Sequence, residues 1–433
     1  MISDPQAELT AEFPASSRGI WPLTAEPGVS VGGVCLTEIA ERFGTPAYVL
    51  DEEHVRARCR EYVKAMAPHE VAYAAKAFWC RAMARWIDEE GLSLDICSEG
   101  ELVVASAAGF PAERILLHGN GKTASELSDA LDYGVGRIVV DSMGEAQQLA
   151  ALAGRRQKVL IRVTPGVDAH VHKAVTTGTE DQKFGLSIAS GAAMEVARAI
   201  RSLPSLELVG VHCHIGSQIT SLDGFEAAAR RLVTFTAELG GLPELNLGGG
   251  HAVPYRPGEA GLDVAAFAER ITAAVEQECA AHRLSVPRLT VEPGRAIAGP
   301  AGVTLYRVIA VKRGARTFVV VDGGMSDNPR PALYGSRYHV ERAGTPAAEQ
   351  TEPMTVVGRH CEAGDVLVPD ASLPADIRLG DLLAVPCTGA YHHAMASNYN
   401  HLTRPPVIAV RDGWARPVIR RETDEDLLRR DVG

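Results

Sequence analysis

The chain has 433 residues, with 43 Lys and Arg against 54 Asp and Glu, so its net charge at neutral pH is -11. Hydrophobic residues make up 46% of the chain and charged residues 22%, a globular composition that excludes a disordered or fibrous protein. The acidic balance argues against nucleic-acid binding, because no basic field attracts phosphate backbones. The eight cysteines form no C-x-x-C pair, and no apolar run approaches the roughly 20 residues that cross a bilayer. With an N-terminus that lacks a secretory signal, these features predict a cytoplasmic protein without a membrane partner.

The predicted elements begin after a weakly patterned segment, residues 1–30. From about Ala47, short β-branched runs alternate with longer stretches of helical period. Eight strands are predicted, at 71–77, 92–97, 114–119, 137–142, 159–165, 206–216, 244–250 and 289–295. Eight β–α units over about 250 residues predict a (β/α)8 TIM-type barrel. A doubly wound open sheet is the alternative, but no G-x-G-x-x-G follows the first strand.

The rhythm changes after about Gly302. The runs VTLYRVIAVKR, TFVVVDGG, MTVVGRHC, DVLVPD, DLLAVPC and PPVIAV are separated by turns and leave little room for helix. This pattern predicts a C-terminal all-β domain, a β-sandwich or β-barrel. The fold class is therefore α/β plus all-β.

Candidate reactive groups stand at the carboxyl ends of the predicted barrel strands, where the active sites of such barrels lie. Lys76 ends the first strand in the apolar context AYAAKAFW. It is interpreted either as a lysine that reaches the barrel rim or as a desolvated amine suited to Schiff-base formation. The sixth strand ends in HCHIGSQ, where alternation places His212 and His214 on one face. A zinc pair would lack a clear third ligand, so a ring that faces a planar cofactor is preferred, with Ser217 as a nearby donor.

Strands seven and eight end in an anion-binding pattern and a carboxylate. The three N–H groups of Gly248, Gly249 and Gly250 can approach an anion closely, although a plain turn is the simpler interpretation. Glu292 either pairs locally with Arg295 or points into the barrel mouth. A lysine, a stacking histidine, a glycine turn and a lone carboxylate are together what pyridoxal 5'-phosphate needs, so this cofactor is predicted and no metal is expected.

Motifs along nearly the whole chain resemble those of bacterial diaminopimelate decarboxylases, which are fold type III, alanine-racemase-like pyridoxal-phosphate enzymes. The motifs are YAAKAF, LDICSEGEL, HGNGKTASEL, DQKFG, HCHIGSQ, LGGG, EPGR, DGGMSDNPRPALYG, CEAGD and GAYHHAMASNYN. The resemblance implies that Lys76 is the Schiff-base lysine, that His214 stacks on the pyridine ring, and that Glu292 pairs with its nitrogen. Ser217, Gly249 with its neighbours, Arg295 and Tyr391 would lie around the phosphate.

The resemblance also implies a substrate-binding set and a partner. Arg330 and Tyr334 would grip the distal end of a small amino-acid substrate, with Arg295 and Tyr391 nearby. Cys361 and Glu362 would come from the other subunit of a homodimer with shared active sites, and Cys361 is a candidate proton donor. Residues 46–302 would form the cofactor-binding barrel, while residues 1–45 and 303–433 would form the β-rich domain.

Several positions depart from the pattern of the family. Gly121 replaces an Asn, His251 replaces an apolar residue, and Ala363 and Ala396 each replace a Ser. The last two stand beside substrate-side motifs, so a related amino acid is an alternative substrate. His392 and His393 receive no role.

The function predicted from this resemblance is decarboxylation of meso-diaminopimelate to L-lysine and carbon dioxide. An ornithine or arginine decarboxylase is a second hypothesis, but Arg330 argues against it because a diamine-forming enzyme needs acidic groups at that place. A catalytically silent relative that binds pyridoxal phosphate and a racemase on the same barrel are the third and fourth hypotheses.

Overall fold

A computed structural model describes residues 29–167, 183–344 and 350–433. The chain divides into two compact units, which are considered separately. Of the described residues, the barrel unit comprises 53–167, 183–253 and 260–299, and the β unit comprises 29–52, 254–259, 300–344 and 350–433. The predictions for residues 1–28, and part of the DQKFG motif, lie outside the described residues.

The first elements of the chain belong to the β unit. They are β1 Ser30–Val31, β2 Val34–Cys35, α1 Leu36–Phe43 and β3 Ala47–Asp51. The buried face of α1, which includes Leu36 and Ile39, packs in one cluster with Val303, Leu305 and Ile408. Strand β3 pairs with residues 302–305 and 407–410, so it lies in the sheet of the β unit, whereas the sequence rhythm assigned residues from 46 onward to the barrel.

The barrel unit alternates strands and helices. Its strands are β4 Glu70–Ala74, β5 Ser93–Ile96, β6 Ile115–Leu117, β7 Arg137–Val140, β8 Gln157–Thr164, β9 Leu186–Ser187, β10 Leu206–His212, β11 Glu244–Asn246 and β12 Arg288–Val291. Its helices are α2 Glu52–Met66, α3 Arg81–Glu89, α4 Glu99–Ala108, α5 Ala124–Tyr133, α6 Met143–Leu152, α7 Ala192–Arg201, α8 Leu222–Ala237, α9 Val264–His282 and α10 Arg295–Ala301, the last of which runs into the β unit.

Eight parallel strands close into the predicted barrel. The order runs β10-β11-β12-β4-β5-β6-β7-β8, and a further pairing of β10 with β8 completes the ring. All residues of β5, β6 and β7 are buried. Strands covered on both faces read as continuous apolar runs, which is why the sequence reveals them. The barrel therefore brings eight strand ends together at one mouth.

Local signals fix where the helices begin and end. Thr123 caps α5 through a capping box with Glu126, and Ser98 and Ser142 cap α4 and α6 in the same manner without the reciprocal bond. Gly109 and Gly134 end α4 and α5 in the left-handed conformation that glycine adopts without strain. Both helices therefore stop at a glycine that the local sequence supplies.

The remainder of the β unit is a mixed sheet with short helices. Its strands are β13 Gly302–Lys312, β14 Phe318–Val321, β15 Glu341–Ala343, β16 Thr351–Val357, β17 Val366–Pro374, β18 Leu382–Pro386, β19 Val407–Arg411 and β20 Trp414–Ile419. Its helices are α11 Arg330–Tyr334 and α12 Asp424–Leu428. The sheet order is β17-β16-β14-β13-β3-β19-β20, and β18 pairs with both β13 and β15. Among the described residues, no helix is long and apolar enough to span a membrane.

Candidate active site

Lys76 lies just beyond the first barrel strand. Strand β4 ends at Ala74, and a single 3-10 turn, Ala75–Ala77, carries the lysine to the barrel mouth. Its Nζ lies 3.1 Å from Oδ2 of Asp95. The Lys76 side chain is 46% exposed and that of Asp95 is 2% exposed. Of the two interpretations of Lys76, the half-exposed side chain and its buried carboxylate partner favour a lysine that reaches the barrel rim over a desolvated amine.

Glu292 is the centre of a buried polar cluster at the same mouth. It follows strand β12 and is 4% exposed. The amide of Asn246 donates to Oε1 over 2.6 Å, and His118 Nε2 lies 2.8 Å from the same oxygen. His212 Nε2 lies 3.2 Å from Oε2. Burial alone would raise the pKa of Glu292, but His118 and His212 outweigh it and hold that pKa well below its usual range.

The two histidines beside Glu292 each keep one polar atom without an aligned partner. Burial lowers the pKa of His212 to about 4, so its ring is neutral near pH 7. If Nε2 carries the proton that Glu292 accepts, Nδ1 is bare, and within the described part of the chain it has no hydrogen-bond partner. His118 Nε2 is close to Glu292, but its N–H direction is not aligned with any acceptor described. Two histidine ring nitrogens that lack hydrogen-bond partners among the described residues therefore lie beside one ionised carboxylate.

The glycine turn follows strand β11 and accepts no side chain. Gly248 and Gly250 have φ values of +68° and +99°. A Cβ on Gly249 would lie 2.2 Å from the carbonyl oxygen of Glu292, and one on Gly250 would lie 2.1 Å from that of Gly216. Close backbone packing, and not only the turn, therefore requires glycine here.

The hydrogen bonds of this turn correct the sequence prediction of three free N–H groups. Gly248 N–H donates to Asn246 Oδ1 over 2.9 Å, and Gly249 N–H donates to His214 Nδ1 over 3.2 Å. Of the three, Gly250 N–H alone has no acceptor among the described residues. An anion at this turn would therefore meet one backbone donor together with nearby side chains.

His214 and Ser217 flank the turn on the loop after β10. The strand ends at His212, so strict strand alternation does not extend to His214. Because Gly249 donates to its Nδ1, His214 is a neutral ring with the proton on Nε2; burial, and then the charge of Lys76, lower its pKa well below the usual value. Ser217 Oγ accepts from Arg295 Nη2 over 2.9 Å. This bond holds a hydroxyl and a guanidinium together, the pair predicted to lie beside the phosphate.

These residues fit pyridoxal 5'-phosphate. A ring nitrogen needs an ionised acceptor, and Oε2 of Glu292 accepts one hydrogen bond in this structure, which leaves a lone pair available. A phosphate needs a cradle without side chains and a cation, which Gly250 and Arg295 supply. An aldehyde needs an amine at the mouth, which Lys76 supplies. The possible metal-ligand atoms of His118, His212 and Glu292 lie within 4.8 Å of one another. The hydrogen bonds that Glu292 accepts instead fit a carboxylate held in place to receive the ring nitrogen.

Arg330, in the β unit, is held between tyrosines. It opens α11 and is 6% exposed. Its Nη1 donates to the hydroxyl of Tyr338 over 2.5 Å, and its guanidinium carbon lies 4.9 Å from the ring centroid of Tyr255. No carboxylate of the described residues forms an ion pair with it, so most of its five N–H donors remain for another acceptor. Tyr334, at the other end of α11, is 42% exposed.

Cys361 and Glu362 stand on an exposed loop of the β unit that the 389–401 segment supports. The amide of Cys361 donates to Asn400 Oδ1 over 3.1 Å, and the hydroxyl of Tyr399 donates to Glu362 Oε2 over 3.3 Å. Both Cys361 and Glu362 are exposed. Tyr391, on the supporting segment, is half-buried and has a φ of +62°. The loop thus presents a thiol and a carboxylate to solvent in this single chain.

The four departures from the family pattern have different surroundings. His251 is buried, shares a 2.9 Å hydrogen bond with the Tyr62 hydroxyl, and stacks on that ring. Gly121 has open space around it. Ala363 is exposed and Ala396 is half-buried. These four positions therefore differ in burial and in surroundings.

A cavity of 660 Å³ lies at the opposite end of the barrel. The first residues of strands β4, β7, β11 and β12 line it, and they form ion pairs such as Arg137 with Glu70 at 2.5 Å and Arg137 with Glu244 at 2.9 Å. Charged networks at the amino ends of barrel strands stabilise the fold, whereas catalytic groups lie at the carboxyl ends. This cavity is therefore not the active site.

Sequence reasoning missed three residues of the site. Asp95, His118 and Asn246 lie at the ends of β5, β6 and β11 and contact Lys76 or Glu292. They stand inside the motifs LDIC, HGNGK and ELNLGGG, so a search for every polar residue at a strand end would have found them.

Comparisons with known proteins define the class. The family model of the pyridoxal-dependent decarboxylase pyridoxal-binding domain matches residues 52–299. The fold and the strand-end site are thus those of a pyridoxal-dependent decarboxylase, and the matched region contains Lys76, His214, the glycine turn and Glu292.

The curated relatives and solved structures narrow this class. The chain is 59% identical to a diaminopimelate decarboxylase of Actinosynnema pretiosum subsp. auranticum, over 99% of this chain and 98% of that protein. It is 48% identical to that of Mycobacterium tuberculosis, over 95% and 98%. A crystal structure of the M. jannaschii diaminopimelate decarboxylase in complex with L-lysine superposes with a TM-score of 0.89 at 31% identity, over 94% of this chain and 97% of that chain. The chain belongs to the diaminopimelate decarboxylase family, as its motifs predicted.

Proposed function

We propose that this chain removes the carboxylate from the D-configured carbon of meso-diaminopimelate and releases L-lysine and carbon dioxide. The observation that carries the proposal is the 59% identity, over 99% of the chain, to a diaminopimelate decarboxylase. The positions of Lys76, Glu292 and the glycine turn at one barrel mouth support it, since they are the groups such chemistry requires.

The barrel unit supplies the cofactor-binding groups. When bound, pyridoxal 5'-phosphate supplies an electron sink for the bond that breaks. Lys76 would hold it covalently, and Asp95, 3.1 Å from the lysine Nζ, orients the lysine side chain. Glu292 would keep a proton on the ring nitrogen, since its own lowered pKa leaves it anionic near pH 7. His214 would lie against the ring, and Ser217, Arg295 and the glycine turn, Gly248, Gly249 and Gly250, would bind the phosphate.

The substrate-binding groups of the proposal lie in the β unit, apart from Arg295 at the start of α10 in the barrel unit. Arg330 and Arg295 would pair with the distal carboxylate of the substrate, because a guanidinium binds a carboxylate through two parallel hydrogen bonds. Glu362 would accept the distal ammonium, with Tyr334 and Tyr391 beside the substrate. Cys361 would return the proton to the carbon that loses its carboxylate. Both Cys361 and Glu362 would act from the partner subunit of a homodimer, and their exposure in the single chain supports this arrangement.

The test is product analysis of the purified holoenzyme with separate substrates. The panel contains meso-, LL- and DD-diaminopimelate, lysine, ornithine and arginine, and the readouts are carbon dioxide, product mass and product enantiomer. We expect L-lysine from the meso isomer and no diamine from lysine or ornithine. The Lys76→Ala variant is the negative control and should release no carbon dioxide.

Each competing function gives a different result in this panel. Release of putrescine from ornithine or agmatine from arginine would establish a diamine-forming decarboxylase. An inverted amino acid without carbon dioxide would establish a racemase. Cofactor binding without any turnover would establish a silent relative, and any of these outcomes overturns the proposal.

A further inference from the structure

A continuous chain of polar side chains joins the lysine to the pyridine-facing carboxylate. Lys76 Nζ pairs with Asp95 Oδ2 at 3.1 Å, and the other carboxylate oxygen, Oδ1, lies 3.7 Å from His118 Nε2. The same nitrogen lies 2.8 Å from Glu292 Oε1. His118 is thus the one described side chain within ion-pair distance of both Asp95 and Glu292.

The cluster is buried, so solvent screens its charges weakly. The side chains of Asp95, His118 and Glu292 are 2%, 7% and 3% exposed. The His118 ring also meets the His212 ring edge-on, with centroids 4.7 Å apart. Removing one group from such a network changes the ionisation of those that remain, because the local dielectric is low.

We propose that His118 is a positioning residue that couples the Lys76–Asp95 pair to Glu292 and so sets the protonation of the cofactor ring. The inference rests on the proposed cofactor but not on the proposed substrate.

The other charged or titratable groups that face this cluster have to be counted in any titration. They are Arg162 on β8, Asp141 after β7, Cys97 after β5, Glu101 on α4, His212, Cys213 and His214 on and after β10, and Lys76 after β4.

The direct test is a pH titration of the visible absorbance of the substrate-free holoenzyme, in the native chain and in His118→Phe. The phenyl ring keeps the volume but contributes no contact to Glu292. Burial then acts on the carboxylate with less opposition, so Glu292 takes up a proton at higher pH. We expect the acid-side spectral midpoint to rise by about one pH unit or more. His118→Asn is the second variant, should the phenyl ring prevent folding.

His69→Asn is the matched control for His118→Asn. His69 lies at the opposite end of the barrel, where its Nδ1 accepts from Leu289 N–H over 3.3 Å. The control should leave the spectral midpoint where it is in the native chain. A His118 variant that binds cofactor and titrates like the native chain overturns the proposal.

A double-mutant cycle with Asp95→Asn tests the coupling itself. Asp95→Asn should move the midpoint in the native background but much less in the His118→Phe background, because the connecting side chain is gone. Equal shifts in both backgrounds would show that Asp95 acts on Glu292 without His118. Neither titration requires turnover of diaminopimelate, so failure here is distinct from failure of the substrate proposal.

Discussion

At the scale of single residues, the sequence predicted which reactive side chains lie at the barrel mouth but not which residues contact them. Lys76 and Glu292 were predicted from their places at strand ends, and both lie at the barrel mouth. The pairing of Lys76 with Asp95 was not predictable, because the partner lies 19 positions away on another strand. His118 and Asn246 escaped notice since a lone polar residue in an apolar run has many ordinary explanations. Tertiary contacts alone show that they share Glu292.

Arg330 provides the residue-scale test of substrate binding. Its guanidinium is buried and pairs with no carboxylate of the described residues, so the distal carboxylate of the substrate is the expected partner. Arg330→Ala should weaken transition-state binding by about 2–5 kcal/mol, which is a loss of roughly 30-fold to several thousandfold in kcat/KM for meso-diaminopimelate. Steady-state kinetics measures this loss, and the melting temperature reports any loss of folding.

Arg337→Ala is the control for that variant. Arg337 is exposed and pairs with exposed Asp370 at 3.1 Å, an interaction of small energetic effect. Its kcat/KM should stay within about twofold of the native value. Native-like kinetics of Arg330→Ala would remove this arginine from the substrate site.

At the scale of elements, the sequence predicted which segments form strands but not where each one stops. Strand β10 ends at His212, four residues before the predicted end. Residues 213–216 of the run HCHIG belong to the loop that carries His214 and Ser217. There the chain no longer pairs as a strand, and His214 instead accepts a hydrogen bond from the glycine turn. Apolar pattern alone cannot separate a strand from an equally buried loop.

The glycine turn is the element whose exact shape matters most. A Cβ at Gly249 would lie 2.2 Å from the backbone carbonyl oxygen of Glu292, so Gly249→Ala must displace either the turn or the backbone of Glu292. We expect cofactor affinity to fall at least tenfold, an effect of about 1.4 kcal/mol or more, measured by equilibrium dialysis of the cofactor against the apoenzyme. Gly154→Ala is the control, because no atom lies within 4 Å of its Cβ position. Equal affinities in the two variants would mean that the turn does not hold the phosphate.

At the scale of the whole molecule, eight β–α units predicted the closed barrel, and a second, β-rich unit was predicted correctly as a class. The sequence did not predict that strand β3 lies in the β unit. Residues 47–51 read as the start of the barrel rhythm, yet they pair with β13 and β19 of the β unit. Strand pairing between positions more than 250 residues apart leaves no local trace, which is why sequence reasoning could not place it.

The covalent attachment of the cofactor is the claim on which the barrel site and the chemistry depend. The purified holoenzyme is reduced with borohydride and digested, and mass spectrometry locates the added pyridoxyl phosphate. We expect modification of the peptide that contains Lys76, and none of Lys122, whose amine is buried and donates to the carbonyls of Gly119 and Val139. Modification of a different lysine, or an unmodified Lys76 in a chain that carries the cofactor, would contradict it.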